Sequence, residues 1–415
     1  MCPGSIYVRF FLMVNSLMKS LTNLLTAVVL LVLTGSASAE VAYLNPSAET
    51  GISQCAVVKN SVLAHTSQIL PINFNGGQVA AGNAGDQTAM VLQNLDYLLG
   101  KVDATLYRVV KLNVYVAREE LVSEVKQRLV KELKFKVQPA CTFVVTKLAD
   151  PKALVAMDVV AALDSDKKIA KTEIYNDNVS GFRVALLPAG RTAYISGQAV
   201  KADTLEEATK KTMEELHQTL KFLGGSPENI VHLKAFLTPM KQGESSAEVI
   251  DSFFPEKRRP PVTLVEWFST LPVEIEMIVA LPEPAPASRP AETIVYKTPT
   301  GMKASPVYSR VAIAEVSDRI YVSGITSKEP GNYSTRIHSA FDQLKAIVTE
   351  AGSDMEHLAK ATYYVSDNEI SGDFGKIRQE YYNPKRPPAA SKATVKSVGI
   401  PNRILLMDMI AVPVK

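Results

Sequence analysis

The stretch Arg191-Thr-Ala-Tyr-Ile-Ser-Gly-Gln198 predicts a β-strand that runs into a Ser-Gly turn. Apolar residues then recur at helical spacing over residues 205–223, and Gly224-Gly225 ends the predicted helix. A strand, a second helix, a proline breaker and two more strands follow, at residues 230–237, 246–254, 259–261, 262–267 and 274–280. This order of elements predicts an α+β unit of about 120 residues.

The same order of elements returns in the last third of the chain. The strand and turn recur as Asp318-Arg-Ile-Tyr-Val-Ser-Gly324. Ser323 follows Ser196 by 127 residues, and Ala389 follows Val262 by the same interval. Two landmarks with one offset indicate a duplicated unit.

A more diverged copy precedes these two. Asn60-Ser-Val-Leu-Ala-His-Thr66 aligns without gaps on the other two strands, which places His65 where they have a serine. The sequence therefore predicts three tandem repeats, over residues 40–165, 166–285 and 286–415. The third repeat begins with a proline-rich linker at 286–292, a composition typical of a stiff connection.

Residues 1–39 have the features of a secretory signal peptide. A lysine at position 19 precedes the apolar run 24–33, and Ala37-Ser38-Ala39 supplies a small-x-small cleavage site. The apolar run has ten residues, half of the ~20 that a membrane-spanning helix needs. We therefore expect export to the periplasm or the outside, with no membrane attachment after cleavage. The start codon stays open between Met1, Met13 and Met18.

The composition is that of a globular protein without nucleic-acid or metal features. Of 415 residues 47% are hydrophobic and 21% charged, and 45 basic residues nearly balance 42 acidic ones. A net charge of +3 without a basic cluster argues against nucleic-acid binding. Beyond the leader, Cys55 and Cys141 are too few for a disulfide framework, which leaves one bridge or two buried thiols. No cofactor and no metal are expected, because the histidines form no Cys/His cluster.

The motifs of repeats 2 and 3 resemble the RidA/YjgF family of reactive-intermediate deaminases, also called L-PSP endoribonuclease-like. The resemblance rests on Tyr194-Ile-Ser-Gly-Gln198, Arg259-Pro260-Pro261, Val273-Glu-Ile-Glu-Met-Ile-Val279, Ile320-Tyr-Val-Ser-Gly324 and Met407-Asp-Met-Ile-Ala-Val412. It implies a chorismate-mutase-like fold that forms homotrimers with ligand clefts between subunits. Three copies in one chain then imply a single-chain pseudo-trimer, with sheets inward and helices outside, that needs no second chain.

The resemblance implies a site in which an arginine after the proline breaker grips a substrate carboxylate. That position is Cys141, Val262 and Ala389 in the three repeats, so the arginine is absent from all of them. A charge-assisted hydrogen bond contributes roughly 1.5–3 kcal/mol, so its loss predicts weak binding of a free imino acid. Three basic residues remain as candidates for a relocated cation: Arg259, Arg386 and Lys392.

The resemblance also implies a glutamate of the final strand as the group that positions the attacking water. Only Glu274 keeps it, because repeats 3 and 1 have Leu406 and Ala156 there. Two residues further on, each repeat keeps an acid that we interpret as structural or catalytic: Asp158, Glu276 and Asp408. The Ser-Gly turns are implied to line the clefts: Ser196-Gly197 and Ser323-Gly324.

His65 and Cys141 replace the implied cleft residues of repeat 1. Such a pair could form a thiolate nucleophile, or be a packed histidine and a buried thiol. The sequence thus predicts an exported protein that binds a small organic metabolite in inter-repeat clefts and is not a standard 2-imino acid deaminase. An imine or enamine deaminase with a relocated cation, and a non-catalytic scaffold or protein-binding module, are the alternatives.

Overall fold

A computed structural model describes residues 40–73, 77–163, 167–284 and 290–414. The predicted leader 1–39 lies outside the described residues, as do parts of both predicted connections between repeats. Within the described residues the α+β class and the threefold repetition of one unit are confirmed. No helix there is long and apolar enough to cross a membrane.

Repeat 1 contains the elements β1 Glu40–Leu44, β2 Cys55–Lys59, β3 Leu63–Thr66, β4 Ile72–Asn73, β5 Gln78–Val79, α1 Ala84–Gly100, β6 Val109–Val116, α2 Val122–Leu133, β7 Ala140–Val145 and β8 Val155–Ala162. The side chain of Asn83 accepts a hydrogen bond from the Asp86 backbone N–H, and so satisfies one free donor at the start of α1. The apolar face of that helix packs on the sheet through side chains such as Leu95 and Leu98.

Repeat 2 contains β9 Glu173–Asn176, β10 Arg183–Leu187, β11 Thr192–Gln198, α3 Leu205–Phe222, β12 Ile230–Leu237, α4 Gly243–Asp251, β13 Val262–Glu266 and β14 Val273–Ala280. Thr204 caps α3 by accepting from the Glu207 backbone N–H. The helix ends before Gly224, whose φ of +74° suits glycine. The second helix begins at Gly243 and not near 246, because a short 3₁₀ turn at Met240–Gln242 leads directly into it.

Repeat 3 contains β15 Ile294–Lys297, β16 Val311–Ala314, β17 Arg319–Val322, α5 Tyr333–Glu350, β18 Leu358–Val365, α6 Ser371–Tyr381, β19 Ala389–Thr394 and β20 Leu405–Ala411. Asn332 caps α5 through the Thr335 backbone N–H, in the same way as in the other repeats.

The strands form three six-stranded sheets and one small pair. Their orders are β7-β6-β8-β3-β10-β9, β13-β12-β14-β11-β16-β15 and β19-β18-β20-β17-β2-β1, with β4-β5 as the pair. Each large sheet therefore takes its last two strands from another repeat. The strand pair that opens repeat 2 joins the sheet of repeat 1, the pair of repeat 3 joins repeat 2, and β1–β2 close the ring on repeat 3.

Each sheet buries both faces. One face packs with the helices of its own repeat, which gives three separate apolar cores. The other faces meet one another in two shared clusters that draw on all three repeats. One shared cluster contains Val160, Ile278 and Ile410, and the other contains Tyr115, Phe236 and Tyr364. Each of these sets occupies equivalent strand positions in the three repeats.

Candidate functional site

At two of the junctions, a serine hydroxyl of one repeat accepts a hydrogen bond from the strand after the proline breaker of another repeat. Ser196 Oγ accepts a hydrogen bond from the Ala390 N–H at 2.7 Å and donates to the Ser309 carbonyl at 2.6 Å. Ser323 Oγ accepts a hydrogen bond from the Cys141 N–H at 2.8 Å. It donates to the Ser53 carbonyl, in the loop between β1 and β2, at 2.6 Å. We name these places junction 2/3 and junction 3/1 after the repeats that meet there. At both places a Ser-Gly turn therefore contacts the strand after the breaker of another repeat.

The register corrects one alignment of the breaker strand. Ala390, and not Ala389, occupies the position of Cys141 and Val262, because Ala361 of β18 pairs with Ala390 as Leu112 pairs with Cys141. Ala389 pairs with Lys360 and is buried in the shared core. The chain after Pro387-Pro388 enters its strand one residue later than the proline motif suggests. The position has no arginine in either alignment.

The register also corrects the position of His65. His65 pairs with Val160 as Tyr194 pairs with Ile278, so its equivalents in the other repeats are tyrosines. The equivalent of Ser196 is Ser67, whose hydroxyl accepts a hydrogen bond from the Arg183 N–H at 3.1 Å. A shift of two residues keeps the alternation of faces along a strand, so the apolar pattern fits both alignments.

Junction 1/2, where β3 meets β13, is filled by a side chain. Gln68 stands at the position of Gly197 and Gly324. Its backbone N–H donates to the Val262 carbonyl at 3.0 Å, and its amide donates to the Leu264 carbonyl at 3.1 Å. The extended amide therefore occupies the space that a glycine leaves open at the other two junctions.

Junction 2/3 holds a carboxyl group in that space. The Glu274 carboxyl lies so close to Gly197 that a Cβ at this position would collide with it. Burial raises the pKa of Glu274 to about 7, and the neighbouring charge of Glu276 adds to the rise, while Ser391 and Lys392 oppose it. Glu274 is therefore able to take up and release a proton near neutral pH.

Lys392 of repeat 3 acts electrostatically on Glu274, and Arg378 lies near Lys392. Lys392 is half-buried, and burial together with the nearby Arg378 lowers its pKa, while Glu274 raises it. Its Nζ donates to Ser371 Oγ at 2.6 Å. The guanidinium of Arg378 lies over the rings of Phe374 and Tyr363, at 4.5 and 5.4 Å from their centroids. Of the three candidate cations, Lys392 is the one whose charge lowers the pKa of Glu274.

The other two candidate cations are used elsewhere. Arg386 forms ion pairs with Glu292 and with Glu356, the latter at 3.5 Å. Arg259 lies 3.8 Å from Asp251 and remains about a third exposed. Neither is a free counter-ion for a ligand at junction 2/3.

Junction 3/1 is apolar where junction 2/3 is acidic. Leu406 takes the place of Glu274, and its Cδ1 would lie 3.0 Å from a Cβ on Gly324. Cys141 borders a narrow pocket between α2 and β7 whose lining includes Leu129 and Phe143. Burial raises the pKa of the Cys141 thiol to about 12, so it is neutral and a poor nucleophile.

His65 and Cys141 do not form a pair. Cys141 packs in the helix-side core of repeat 1, whereas His65 lines a cavity at the centre of the three sheets. Burial, with a contribution from His232, lowers the pKa of His65 to about 3. Cys55 is also buried, and both thiols are free. The packed-histidine and buried-thiol interpretation therefore describes these residues.

The three acids of the final strands also face the central cavity, where they meet lysines that the sequence analysis did not single out. Asp408 and Glu276 lie 2.8 Å from Lys111 and Lys360, respectively. The sequence contains one indication of this pairing. These lysines lie within strands whose other residues are mostly apolar, and a lysine in a buried strand is rare unless it is paired with an acid.

Comparison with known proteins finds one family along the chain. The model of the family described as Endoribonuclease L-PSP matches residues 43–163, 167–281 and 299–412. A RutC family protein of Sulfurisphaera tokodaii is 28% identical over 99 residues, which cover 22% of this chain and 77% of that protein.

Among solved structures, the conserved Rid family protein YyfB of Yersinia pestis has 24% identity and a TM-score of 0.27, covering 30% of this chain and 98% of its own. A YjgF family member of Neisseria meningitidis has 16% identity and a TM-score of 0.23, covering 29% and 96%. With the family model matched three times along most of its length, the chain belongs to the Endoribonuclease L-PSP family.

Proposed function

We propose that the chain binds a small anionic organic metabolite at junction 2/3 and hydrolyses an imine or enamine bond in it. Family membership supports a small-molecule-binding or deaminase-like role. The observation that carries the proposal is the Glu274 carboxyl, held against Gly197 with a pKa raised to about 7 and within reach of the charge of Lys392 from repeat 3. The other junctions hold leucine and a glutamine amide at this place.

The chemistry requires one group that both accepts and donates a proton. With the imine nitrogen protonated, Glu274 as carboxylate takes a proton from the water that attacks the imine carbon, and the neutral tetrahedral carbinolamine forms. Glu274 as acid then gives that proton to the nitrogen, and the C–N bond breaks to release ammonia. The Glu274 carboxylate takes the hydroxyl proton as the carbonyl forms, and releases it to solvent. A pKa near 7 populates both forms at neutral pH. Lys392 and Arg378 supply the positive charge for an anionic group of the substrate.

The test is an assay with residues 40–415 and an amino-acid oxidase that generates imines in place. We expect ammonia release faster than in buffer, and loss of that acceleration in Glu274→Gln. The matched control is Cys141→Ser at junction 3/1, which should keep full activity. If ammonia release from a panel of imines is no faster than in buffer, the result contradicts the hydrolase proposal.

We also propose that residues 1–39 are removed on export and that the remaining chain is a monomer. Cleavage after Ala39 would leave β1 complete, since that strand begins at Glu40. Sequencing the N-terminus of the protein recovered from the producing cells should give Glu40, and sizing it in solution should give one chain. An intact leader contradicts the first expectation, and a trimer of chains contradicts the second.

A further inference from the structure

A charged layer lies at the centre of the molecule between the two shared apolar clusters. It surrounds a cavity of about 40 Å³, which we call the central chamber. Its charged lining residues are Lys111, Lys234, Lys360, Asp158, Glu276 and Asp408. Each repeat supplies one of these lysines and one of these acids.

Two of the acids have a lysine from another repeat as partner. Lys111 of repeat 1 lies 2.8 Å from Asp408 of repeat 3, and Lys360 of repeat 3 lies 2.8 Å from Glu276 of repeat 2. Lys111 also donates to the Thr142 hydroxyl and the Val322 carbonyl, so all three of its donors are used.

The third acid is paired through neutral groups. Asp158 accepts hydrogen bonds from Asn113 and Tyr115, both at 2.7 Å, and from Thr263 of repeat 2 at 3.0 Å. The Thr263 hydroxyl in turn contacts His232 Nε2 at 3.1 Å. His232 occupies the strand position of Lys111 and Lys360, and burial lowers its pKa well below the usual value.

Lys234 is the third lysine of the chamber, and no acid pairs directly with it among the described residues. It is 4% exposed. Among the described residues its ammonium has no carboxylate within 4.0 Å and no hydrogen-bond acceptor, and its contact is the face of the Tyr115 ring at 6.0 Å. Burial opposes its charge, but the surrounding groups, including all three carboxylates, raise its pKa. A buried ammonium without hydrogen bonds is costly, so its donors need partners within the chamber.

Other polar atoms face the same space without a partner. His65 Nε2, Asn113 Oδ1 and the Tyr321 hydroxyl are buried, line the chamber and make no hydrogen bond within the described part of the chain. The positive charges of three lysines cancel the negative charges of three carboxylates, and both histidines are neutral. Molecules that occupy the chamber beside these side chains therefore need no net charge, as is true of water. The chamber has room for about two or three water molecules.

We propose that the central chamber is a hydrated site for a primary ammonium ion, and that Lys234 fills it as a tethered ligand. Ordered waters bridge Lys234 Nζ to the carboxylates around it and to the three unpartnered atoms. Three carboxylates arranged around one ammonium, with water between them, would accept an untethered alkylammonium ion when the lysine is shortened.

The test uses Lys234→Ala in the full chain, with Lys221→Ala on the exposed face of α3 as the matched control. We expect Lys234→Ala to lose roughly 4–6 °C in Tm, because it leaves three carboxylates with two lysines. Refolding in propylammonium chloride, which replaces the deleted atoms, should restore at least half of that loss. Tetramethylammonium chloride at equal ionic strength should not, and the control should respond to neither salt.

Several outcomes overturn the proposal. They are an unchanged Tm in Lys234→Ala, or equal recovery with propylammonium and tetramethylammonium. A crystal structure of the natural chain provides the second measurement, which does not depend on the variant folding. Ordered waters between Lys234 and the carboxylates support the site, and a dry chamber with Lys234 in direct contact with a carboxylate contradicts it.

Discussion

Junctions 2/3 and 3/1 share a backbone arrangement and differ in chemistry. Both have a serine hydroxyl that bridges two repeats, and both have a glycine that leaves room beside it. Junction 2/3 fills that room with the carboxyl of Glu274, and junction 3/1 fills it with Leu406. The fold thus supplies the same position in each repeat, and the side chain that occupies it decides whether the junction can transfer a proton.

The largest expected effect separates the two junctions by activity. Glu274→Gln removes the proton-transfer group without changing its shape, so we expect the rate of imine hydrolysis to fall by about 10²- to 10⁴-fold. Leu406→Ala at the equivalent position of junction 3/1 should leave kcat/KM unchanged. Steady-state assays of the two variants check this, and similar losses in both would remove the distinction between the junctions.

The second prediction concerns stability against pH. Glu274 has a pKa of about 7 in the folded chain against an ordinary 4.5, so the folded state binds its proton more tightly. Its contribution to stability therefore decreases as pH rises from about 4.5 to 7 and is constant above. We expect Glu274→Gln to gain about 2–3 kcal/mol relative to the natural chain between pH 4.5 and pH 8. Urea unfolding of both chains at several pH values measures it, and a pH-independent difference contradicts it.

The third prediction concerns the relocated cation. Lys392→Met keeps an unbranched side chain that is one atom shorter and removes the charge. We expect KM for an anionic imine to rise about tenfold, as the loss of one charge-assisted contact implies, with a smaller change in kcat. The control is Lys376→Met on the exposed surface of α6. An unchanged KM would show that Lys392 does not meet the substrate.

The fourth prediction compares the two glycines. Gly197→Ala must displace the Glu274 carboxyl, whereas Gly324→Ala meets Leu406 at 3.0 Å and needs only a slight adjustment. We expect about 1–3 kcal/mol of destabilisation for Gly197→Ala and less for Gly324→Ala. The double variant Gly197→Ala/Glu274→Ala should regain part of the loss. Thermal or urea unfolding of the variants would contradict this if the two single changes cost the same.

The sequence sufficed for the repeat, the class of fold and the site position of Glu274. Each of these follows from local features, such as alternating strands, helical periodicity and a glutamate at a fixed place in a strand. The exchange of strand pairs could not be predicted in this way. Segments 188–191 and 315–318 each join strands of two different sheets. A connection of this length could equally form a hairpin within one sheet, so the sequence does not distinguish the two arrangements.

The two misaligned residues have a related cause. A strand repeats its faces every two residues, so moving His65 by two positions leaves the apolar pattern intact. The proline motif places Ala389 one residue away from its true equivalent, because pairing with β18 and not the prolines sets the register. The charged centre was missed because lysine within a strand gives no sign of its partner, which lies on a different repeat.

The most direct test of the account is the titration of Glu274 itself. Infrared difference spectra between the natural chain and Glu274→Gln isolate the band of this one carboxyl group across a pH series. We predict that the carboxyl group loses its proton with a midpoint near pH 7. A midpoint near its ordinary value of 4.5 would mean that Glu274 is a solvated surface acid, and that junction 2/3 does not differ from the others in the way proposed.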